Sequence, residues 1–463
     1  MNTNRKIIIV LCLICVLFLS LIGYLTYFTL FRSADVAAHP SNRRLWVQEE
    51  NTLRGSIYDA SGVVLAKTVT NEKNEQVRTY PYGSLYAHVI GYNSAIYGKS
   101  QLESAFNDLL LGKNAFSTII NMGGLSEVGF DLTLTIDHDV QQAAANRLGK
   151  RNGAAVAINP RTGEILAMVS SPSFDPNDSA LIQNWAKIND DENAPFLARA
   201  TSGLYPPGST FKIVTSSAIL SEKLDNMTFN DTGSTTIDGK VFKNYKNKSM
   251  GKLDLARAFS LSSNVAFCEW GAALGGAKLY EKAAAFGFEK AVSLDIPAAK
   301  SRFPQKDMSA TDSAAAAIGQ WDILATPLQM AKVAGVIAND GVDMPNNLVK
   351  KATNSMGLIM YEAKKSAGTR VIPTEDAAKI KDMMVQTVKS GTATSVSISG
   401  VTVAGKTGTA ENEKQGKEHA WFVGFAPAVN PQIAVAVIVE YSGGTGSELA
   451  IPIAREMIMK ALN

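Results

Sequence analysis

Between Ile7 and Phe31 the chain carries 25 uncharged, mostly apolar residues, directly after Asn4-Arg5-Lys6. A continuous apolar run of this kind has few structural solutions. In lipid it must satisfy its own backbone hydrogen bonds, and a single segment does so only as a helix. At about 1.5 Å per residue it is long enough for a hydrocarbon core of about 30 Å. It exceeds the roughly 7–15 apolar residues of a cleavable signal peptide. Val36-Ala37-Ala38 has the small-residue pattern of a cleavage site but follows too long an apolar run. A retained membrane anchor is therefore expected over residues 1–31. Arg5 and Lys6 place its start in the cytoplasm by the positive-inside tendency, with Arg32 on the other flank reducing the asymmetry. The rest of the chain is then expected outside.

The 463 residues suit two or three domains, and a hydrophobic share of 46% supports a sizeable core. The formal charge is +3, or about +1 without Arg5 and Lys6, which gives no nucleic-acid footprint. Cys12 and Cys15 fall within the apolar run, leaving Cys268 alone outside it, where a buried structural role is expected. His39, His88, His138 and His419 lack the close spacing of metal ligands, so neither a metal nor a cofactor is expected.

Residues 32–130 show short extended pieces around Gly55-Ser56-Ile57-Tyr58 and Val63-Val64-Leu65, separated by the turn "DASG", and no catalytic constellation. They read as a non-catalytic pedestal. A larger domain, 131–463, opens at "DLTLTIDHDVQQAAANRL", where alternation predicts a strand and Asp137 a helix cap. In "GAAVAINPRTGEILAMVSSP" two apolar runs flank a turn, a hairpin signal. Helical stretches follow, including "KLDLARAFSLSSNVAFCEWGAAL" and "PLQMAKVAGVIAN", before the chain returns to strands in "VTVAGKTGTA", "HAWFVGFAPA" and "QIAVAVIVEYS". This order predicts a sheet built from both ends of the domain with helices inserted between.

Chemistry enters at "LYPPGSTFKIVTSSAIL", where Ser209 and Lys212 stand three residues apart. The spacing alone decides nothing, because Ser249 and Lys252 share it. Context separates the two pairs. Pro206-Pro207-Gly208 makes a rigid turn, and Phe211, Val214, Ala218 and Leu220 then recur at roughly helical intervals, whereas Ser249 sits in the polar stretch "YKNKSMGKLD". A serine opening a helix is most often only an N-cap, worth about 1 kcal/mol. Lys212 adds a second possibility: it shares a helical face with Ser209 and has apolar sequence neighbours. Burial can bring a lysine pKa from about 10.4 to about 7, at a cost of roughly 4–5 kcal/mol, and a neutral amine can take a serine proton. No G-x-S-x-G elbow surrounds Ser209.

Two further fragments complete an ordered set: Ser262-Ser263-Asn264 interrupts a helical pattern, and Lys406-Thr407-Gly408-Thr409 ends a strand pattern begun by Val401 and Val403. Each alone has a bland reading as a cap, a turn or a strand end. S-x-x-K, S-x-N and K-T-G in this order are characteristic of penicillin-binding proteins and related β-lactamases. With "RGSIYDASGVVLA", "HVIGY", "GEILAMVSSPSFDPN", "RATSGLYPPGSTFKI", "GQWDILATPLQMA" and "AGKTGTAENE", the chain resembles class B penicillin-binding proteins, the membrane-anchored D,D-transpeptidases of peptidoglycan, and most closely the penicillin-binding protein A subgroup.

The resemblance implies an α/β (α+β) transpeptidase domain, with a central antiparallel sheet flanked by helices, on a small pedestal and one transmembrane helix. It implies that Ser209 attacks the amide between two terminal D-alanines while Lys212 accepts its proton. Ser262 would relay a proton to the leaving amine, and Asn264 would bind the peptide amide and steady Lys212. Lys406 would add positive potential, Thr407 and Thr409 would meet the substrate carboxylate, and Gly408 would let the strand approach the peptide. The N–H groups of Ser209 and Thr409 would hold the oxyanion. Stem peptides and β-lactam antibiotics are the implied ligands. A multi-spanning glycan polymerase of the shape, elongation, division and sporulation family is the implied partner, because the pedestal has no room for a glycosyltransferase.

Ser263 stands where class A β-lactamases have aspartate, and no E-x-x-L-N segment lies between Asn264 and Lys406, which disfavours a β-lactamase. A D,D-carboxypeptidase would use the same motifs. A β-lactam sensor is expected to need a cytoplasmic signalling region, for which six residues before the anchor leave no space. A catalytically silent scaffold is disfavoured because no motif residue is missing.

Overall fold

A computed structural model describes residues 3–28, 32, 52–72, 75–113, 128–303, 305–410 and 417–463. The first helix, α1 (Thr3–Tyr27), includes the apolar span Ile7–Tyr27, whose side chains are not buried against the rest of the chain. By length and composition it can cross a membrane once. Phe31, His39 and the Val36-Ala37-Ala38 stretch lie outside the described residues.

The turn expected at "DASG" forms: Asp59 Oδ1 accepts from the N–H groups of Ser61 and Val63 at 2.9 and 2.7 Å. It joins Ile57–Tyr58 to the antiparallel strand Val64–Thr70. These belong to a six-stranded sheet in the spatial order Ile359–Glu362, Val349–Thr353, Asp131–Leu134, Ile57–Tyr58, Val64–Thr70, Gln76–Thr79. The strand predicted at "DLTL" is present, with Leu132 and Leu134 buried, and it joins the pedestal sheet by running parallel to Ile57–Tyr58. Alternation reports which face of a strand is buried, not which sheet receives it. Below the sheet, Glu103 is fully buried between Arg54 and Arg78, with Nε–O distances of 2.6 and 2.7 Å.

The larger part of the chain is built on five antiparallel strands: β1 (Gly153–Ile158), β2 (Ile165–Ser171), β3 (Ala404–Ala410), β4 (His419–Ala426) and β5 (Ile433–Val439), in the order β3-β4-β5-β1-β2. The two ends of the domain thus meet where β5 pairs with β1. The β1–β2 turn is closed by Asn159, whose Oδ1 accepts from the N–H groups of Arg161 and Thr162. Gly163 ends it at φ +78, where a Cβ would lie 1.9 Å from Pro345 O.

Both faces of the sheet are covered. Helix α2 (His138–Leu148) is capped by Asp137, which accepts from the N–H groups of Asp139 and Val140 as predicted. The other helices used below are α3 (Lys212–Ser221), α4 (Leu255–Leu261), α5 (Asn264–Ala285), α6 (Pro327–Ala338), α7 (Thr374–Ser390) and α8 (Gly446–Ala461). Val435, Val437 and Val439 of β5 pack in one core with α2 and α8, while Ala434, Ala436 and Ile438 join a second core with α3 and α6. Each fully buried valine or isoleucine contributes about 1.5–3 kcal/mol. Every residue of α6 is buried, so this short apolar helix is a core element, in contrast to α1.

Candidate active site

Pro206-Pro207-Gly208 turns the chain into a single 3-10 turn, Gly208–Phe211, that carries Ser209 directly ahead of α3. Pro206 O accepts from Trp421 Nε1 at 3.0 Å, and Pro207 O from Thr210 Oγ1 at 2.6 Å. Gly208 lies at φ +52, where a Cβ would approach Thr409 O to 2.8 Å. A Cβ at Gly408 would in turn lie 2.9 Å from Thr210 Cγ2, so these glycines bring the serine turn against β3. Ser209 is half-buried and opens into a groove of about 1320 Å³ also lined by Ser262, Asn264, Thr407 and Thr409.

Lys212 is fully buried at the start of α3. Its Nζ donates to Ser262 O at 2.9 Å and Asn264 Oδ1 at 2.8 Å, with Ser262 Oγ at 3.4 Å, over the ring of Phe267. Burial pushes its pKa down to about 7, against a smaller upward pull from Cys268 and Asp231. The hydrophobic surroundings inferred from Phe211, Ile213 and Val214 are therefore present, and Cys268 is buried as expected.

The S-x-N motif is the junction of α4 and α5. Ser262 takes a left-handed conformation, φ 62 and ψ 37, which non-glycine residues rarely adopt and which turns its carbonyl toward Lys212. Ser263 caps α5, accepting from Ala266 N.

Lys406 is likewise fully buried, and its Nζ donates to Ser262 Oγ at 2.8 Å. Burial first, and then the charge of Lys212, hold its pKa well below the usual lysine range. Two buried lysines thus meet at one serine. The K-T-G motif lies within β3 rather than at its end, because ladder pairing starts at Ala404, after the two valines. Since β3 is an edge strand, Thr407 and Thr409 border the groove instead of another strand. Thr407 Oγ1 shares a hydrogen bond of 2.7 Å with Thr392 Oγ1.

The competing Ser249–Lys252 pair is not assembled. Ser249 Oγ donates to Asp231 O, and Lys252 is exposed on the strand Gly251–Leu253. Asp231, Asn244, Thr392 and Trp421 hold the site together, yet no motif marks them. Asn244 and its neighbours look in sequence like a solvated lysine-rich run, "VFKNYKNKS".

A deep groove beside a half-buried serine, with two buried lysines converging on a second serine, defines an acyl-transferring serine enzyme of the penicillin-binding type. The model of the penicillin-binding protein transpeptidase domain matches residues 153–459, and that of the penicillin-binding protein A dimerisation domain matches 54–124. The chain belongs to the class B penicillin-binding proteins, which are serine D,D-transpeptidases. Within them it is closely related to mycobacterial PbpA: it is 35% identical to the peptidoglycan D,D-transpeptidase PbpA of Mycolicibacterium smegmatis, over 100% of this chain and 99% of that protein. Penicillin-binding protein A from M. tuberculosis, solved as a ceftriaxone acyl-enzyme complex, superposes with a TM-score of 0.84 at 32% identity, covering 90% of this chain and 100% of that one. The D,D-transpeptidase domain of a peptidoglycan glycosyltransferase from Eggerthella lenta gives 0.81 at 35% identity, covering 89% and 98%.

Proposed function

We propose that Ser209 opens the D-alanyl-D-alanine amide of one stem peptide, and that the acyl group then passes to an amine of a second, cross-linking peptidoglycan. The convergence of Lys212 and Lys406 on Ser262, beside Ser209, carries this reading. Neutral Lys212 takes the Ser209 proton. Ser262 relays a proton to the leaving amine, so the terminal D-alanine departs as the acyl–enzyme ester forms. Asn264 binds the peptide amide, Lys406 supplies positive potential, and the hydroxyls of Thr407 and Thr409 receive the terminal carboxylate. Gly408 keeps the β3 backbone accessible to the peptide. The N–H groups of Ser209 and Thr409 stabilise the oxyanion; loss of one such donor costs about 10²–10³ in rate. A β-lactam undergoes the same attack. A donor peptide supplied with an acceptor amine should yield the cross-linked product; trimmed peptide and free D-alanine alone would replace this reading with a carboxypeptidase.

The protonation of Lys212 gives acylation a pH limb. With a pKa of about 7, the free amine is depleted as pH falls below that value. Acylation of Ser209 should therefore drop about tenfold per pH unit below the limb. A rate that is flat between pH 5 and 8 would remove Lys212 from the role of base.

Residues 1–31 anchor the protein and 32–130 form the pedestal, completed by strands from the catalytic segment 131–463, which lies outside the cytoplasmic membrane. Protease added to intact protoplasts should degrade the catalytic segment; persistent protection would reverse the topology. The anchor and pedestal contact a multi-spanning glycan polymerase of the shape, elongation, division and sporulation family. Such a polymerase should co-purify from membranes, and an undiminished complex after deletion of residues 1–130 would reject this contact.

A further inference from the structure

We propose that Asp231 and Asn244 are positioning residues for acyl transfer, locking the Ser262–Asn264 turn in the conformation that holds Lys212. The inference rests on the catalytic reading of that turn. Asp231 ends the strand Phe229–Asp231 and is fully buried. Its carboxylate accepts from Ser263 Oγ at 2.6 Å, from Gly233 N at 2.8 Å, and from Asn244 Nδ2 at 2.8 and 2.7 Å. Asn244 then turns its Oδ1 to the opening of α5, accepting from Asn264 N at 2.8 Å and Val265 N at 3.2 Å. The third N–H, from Ala266, goes to Ser263 Oγ at 3.0 Å.

The first three donors of α5 are therefore held by two side chains, and both of those are held by Asp231. Ordinary capping needs only one local side chain. Here the cap is tied to a strand more than thirty residues upstream, and it closes on the residues whose outward atoms, Ser262 O and Asn264 Oδ1, grip Lys212. Asn264 Nδ2 adds a bond to Lys243 O at 3.0 Å, fixing its amide in the orientation that presents Oδ1 to the lysine. Left-handed Ser262 closes α4, its N–H donating to Phe259 O at 3.1 Å, and this frame holds the turn that follows it. The charge of Asp231 also favours the protonated form of Lys212, alongside Cys268, while Lys406 is the other cation facing the same cluster.

Asp231→Asn and Ser263→Ala in the full chain should lower the rate constant for Ser209 acylation by fluorescent penicillin by roughly ten- to a hundredfold. The non-covalent affinity should change little. Ser263→Thr, which keeps the hydroxyl, should restore the rate. In Asp231→Asn the acid limb should move to lower pH, because a negative charge that favoured protonated Lys212 is gone; a generally loosened fold would not produce that displacement. If Asp231→Asn does not fold, Ser263→Ala and Ser263→Thr decide the matter alone. Wild-type labelling with equal rates and limbs in the folded variants would overturn the inference. Absence of labelling in the wild type would instead overturn the catalytic reading beneath it.

Discussion

Ser209→Ala should take up no penicillin at any time point, while the wild type gains one covalent adduct that persists. Ser209 is half-buried in the groove, three residues ahead of a lysine whose pKa burial pushes down to about 7. Alanine removes the proposed nucleophile. Lys212→Ala should retain the nucleophile yet lose nearly all labelling, because general-base assistance is worth about 10²–10⁴ and the carbonyl of Ser262 and Oδ1 of Asn264 lose their shared donor. The adduct should survive for a different reason. The amine of an opened β-lactam stays tethered to the acyl group and obstructs an acceptor, and no E-x-x-L-N segment supplies a deacylating glutamate. Ser249→Ala should label like the wild type, since Ser249, although it lines the same groove, donates its hydroxyl to Asp231 O and Lys252 is exposed on the strand Gly251–Leu253. Intact-protein mass spectrometry over time checks all four. Labelling that survives Ser209→Ala, or an adduct lost within seconds, would sink the assignment.

The second large effect lies far from the groove. Glu103→Ala should lower the stability of the pedestal by about 3–5 kcal/mol, the usual cost of stripping a buried charge from its partners. Burial alone would raise the Glu103 pKa, but Arg78 and Arg54 outweigh it and hold the carboxyl down at about 2. Tyr80 Oη adds a bond at 3.2 Å, and Arg78 also donates to Gly55 O at 2.7 Å. Without the carboxylate, two guanidinium groups remain buried and face each other. Because the folded pKa lies below the unfolded value, the stabilisation is complete above about pH 4.5 and disappears as pH falls toward 2. The mutant should therefore lose the part of the wild type's acid unfolding that falls in this window. Thermal and denaturant midpoints measured from pH 7 to pH 3 would show both effects, and a midpoint unchanged at pH 7 would refute the prediction.

Much of the molecule was legible in its residues because local physics and global fold agree there. Asp137 is a capping residue in sequence and caps α2; "INPRTG" is a turn and closes the β1–β2 hairpin. The three short motifs could be read because their order is specific. Other features depend on contacts that no local pattern encodes. Leu132 and Leu134 announce a half-buried strand but not that the pedestal receives it. Asp231 and Asn244 are polar residues whose meaning arises only when α5 arrives beside them. The i to i+3 spacing of Ser209 and Lys212 indicated a shared face, while the groups that hydrogen-bond Lys212 Nζ in the fold, on Ser262 and Asn264, lie some fifty positions onward.

The exchange of strands between pedestal and catalytic segment has a mechanical consequence. Asp131–Leu134 and Val349–Thr353 lie side by side in the pedestal sheet, yet the chain runs from one to the other through the catalytic core. Thr135 Oγ1 donates to Ile165 O at the root of β2, and Asp295 Oδ2 accepts from the N–H groups of Leu348 and Val349. The joint is therefore pinned at several places and resists twisting as a spliced beam does, where a single linker would swivel. A protein cut to begin at residue 131 would leave Asp131–Leu134 without its neighbour Ile57–Tyr58 and expose a raw sheet edge. The pedestal is thus fastened to one edge of the five-stranded sheet, at β2, while Lys406 stands on the opposite edge, β3.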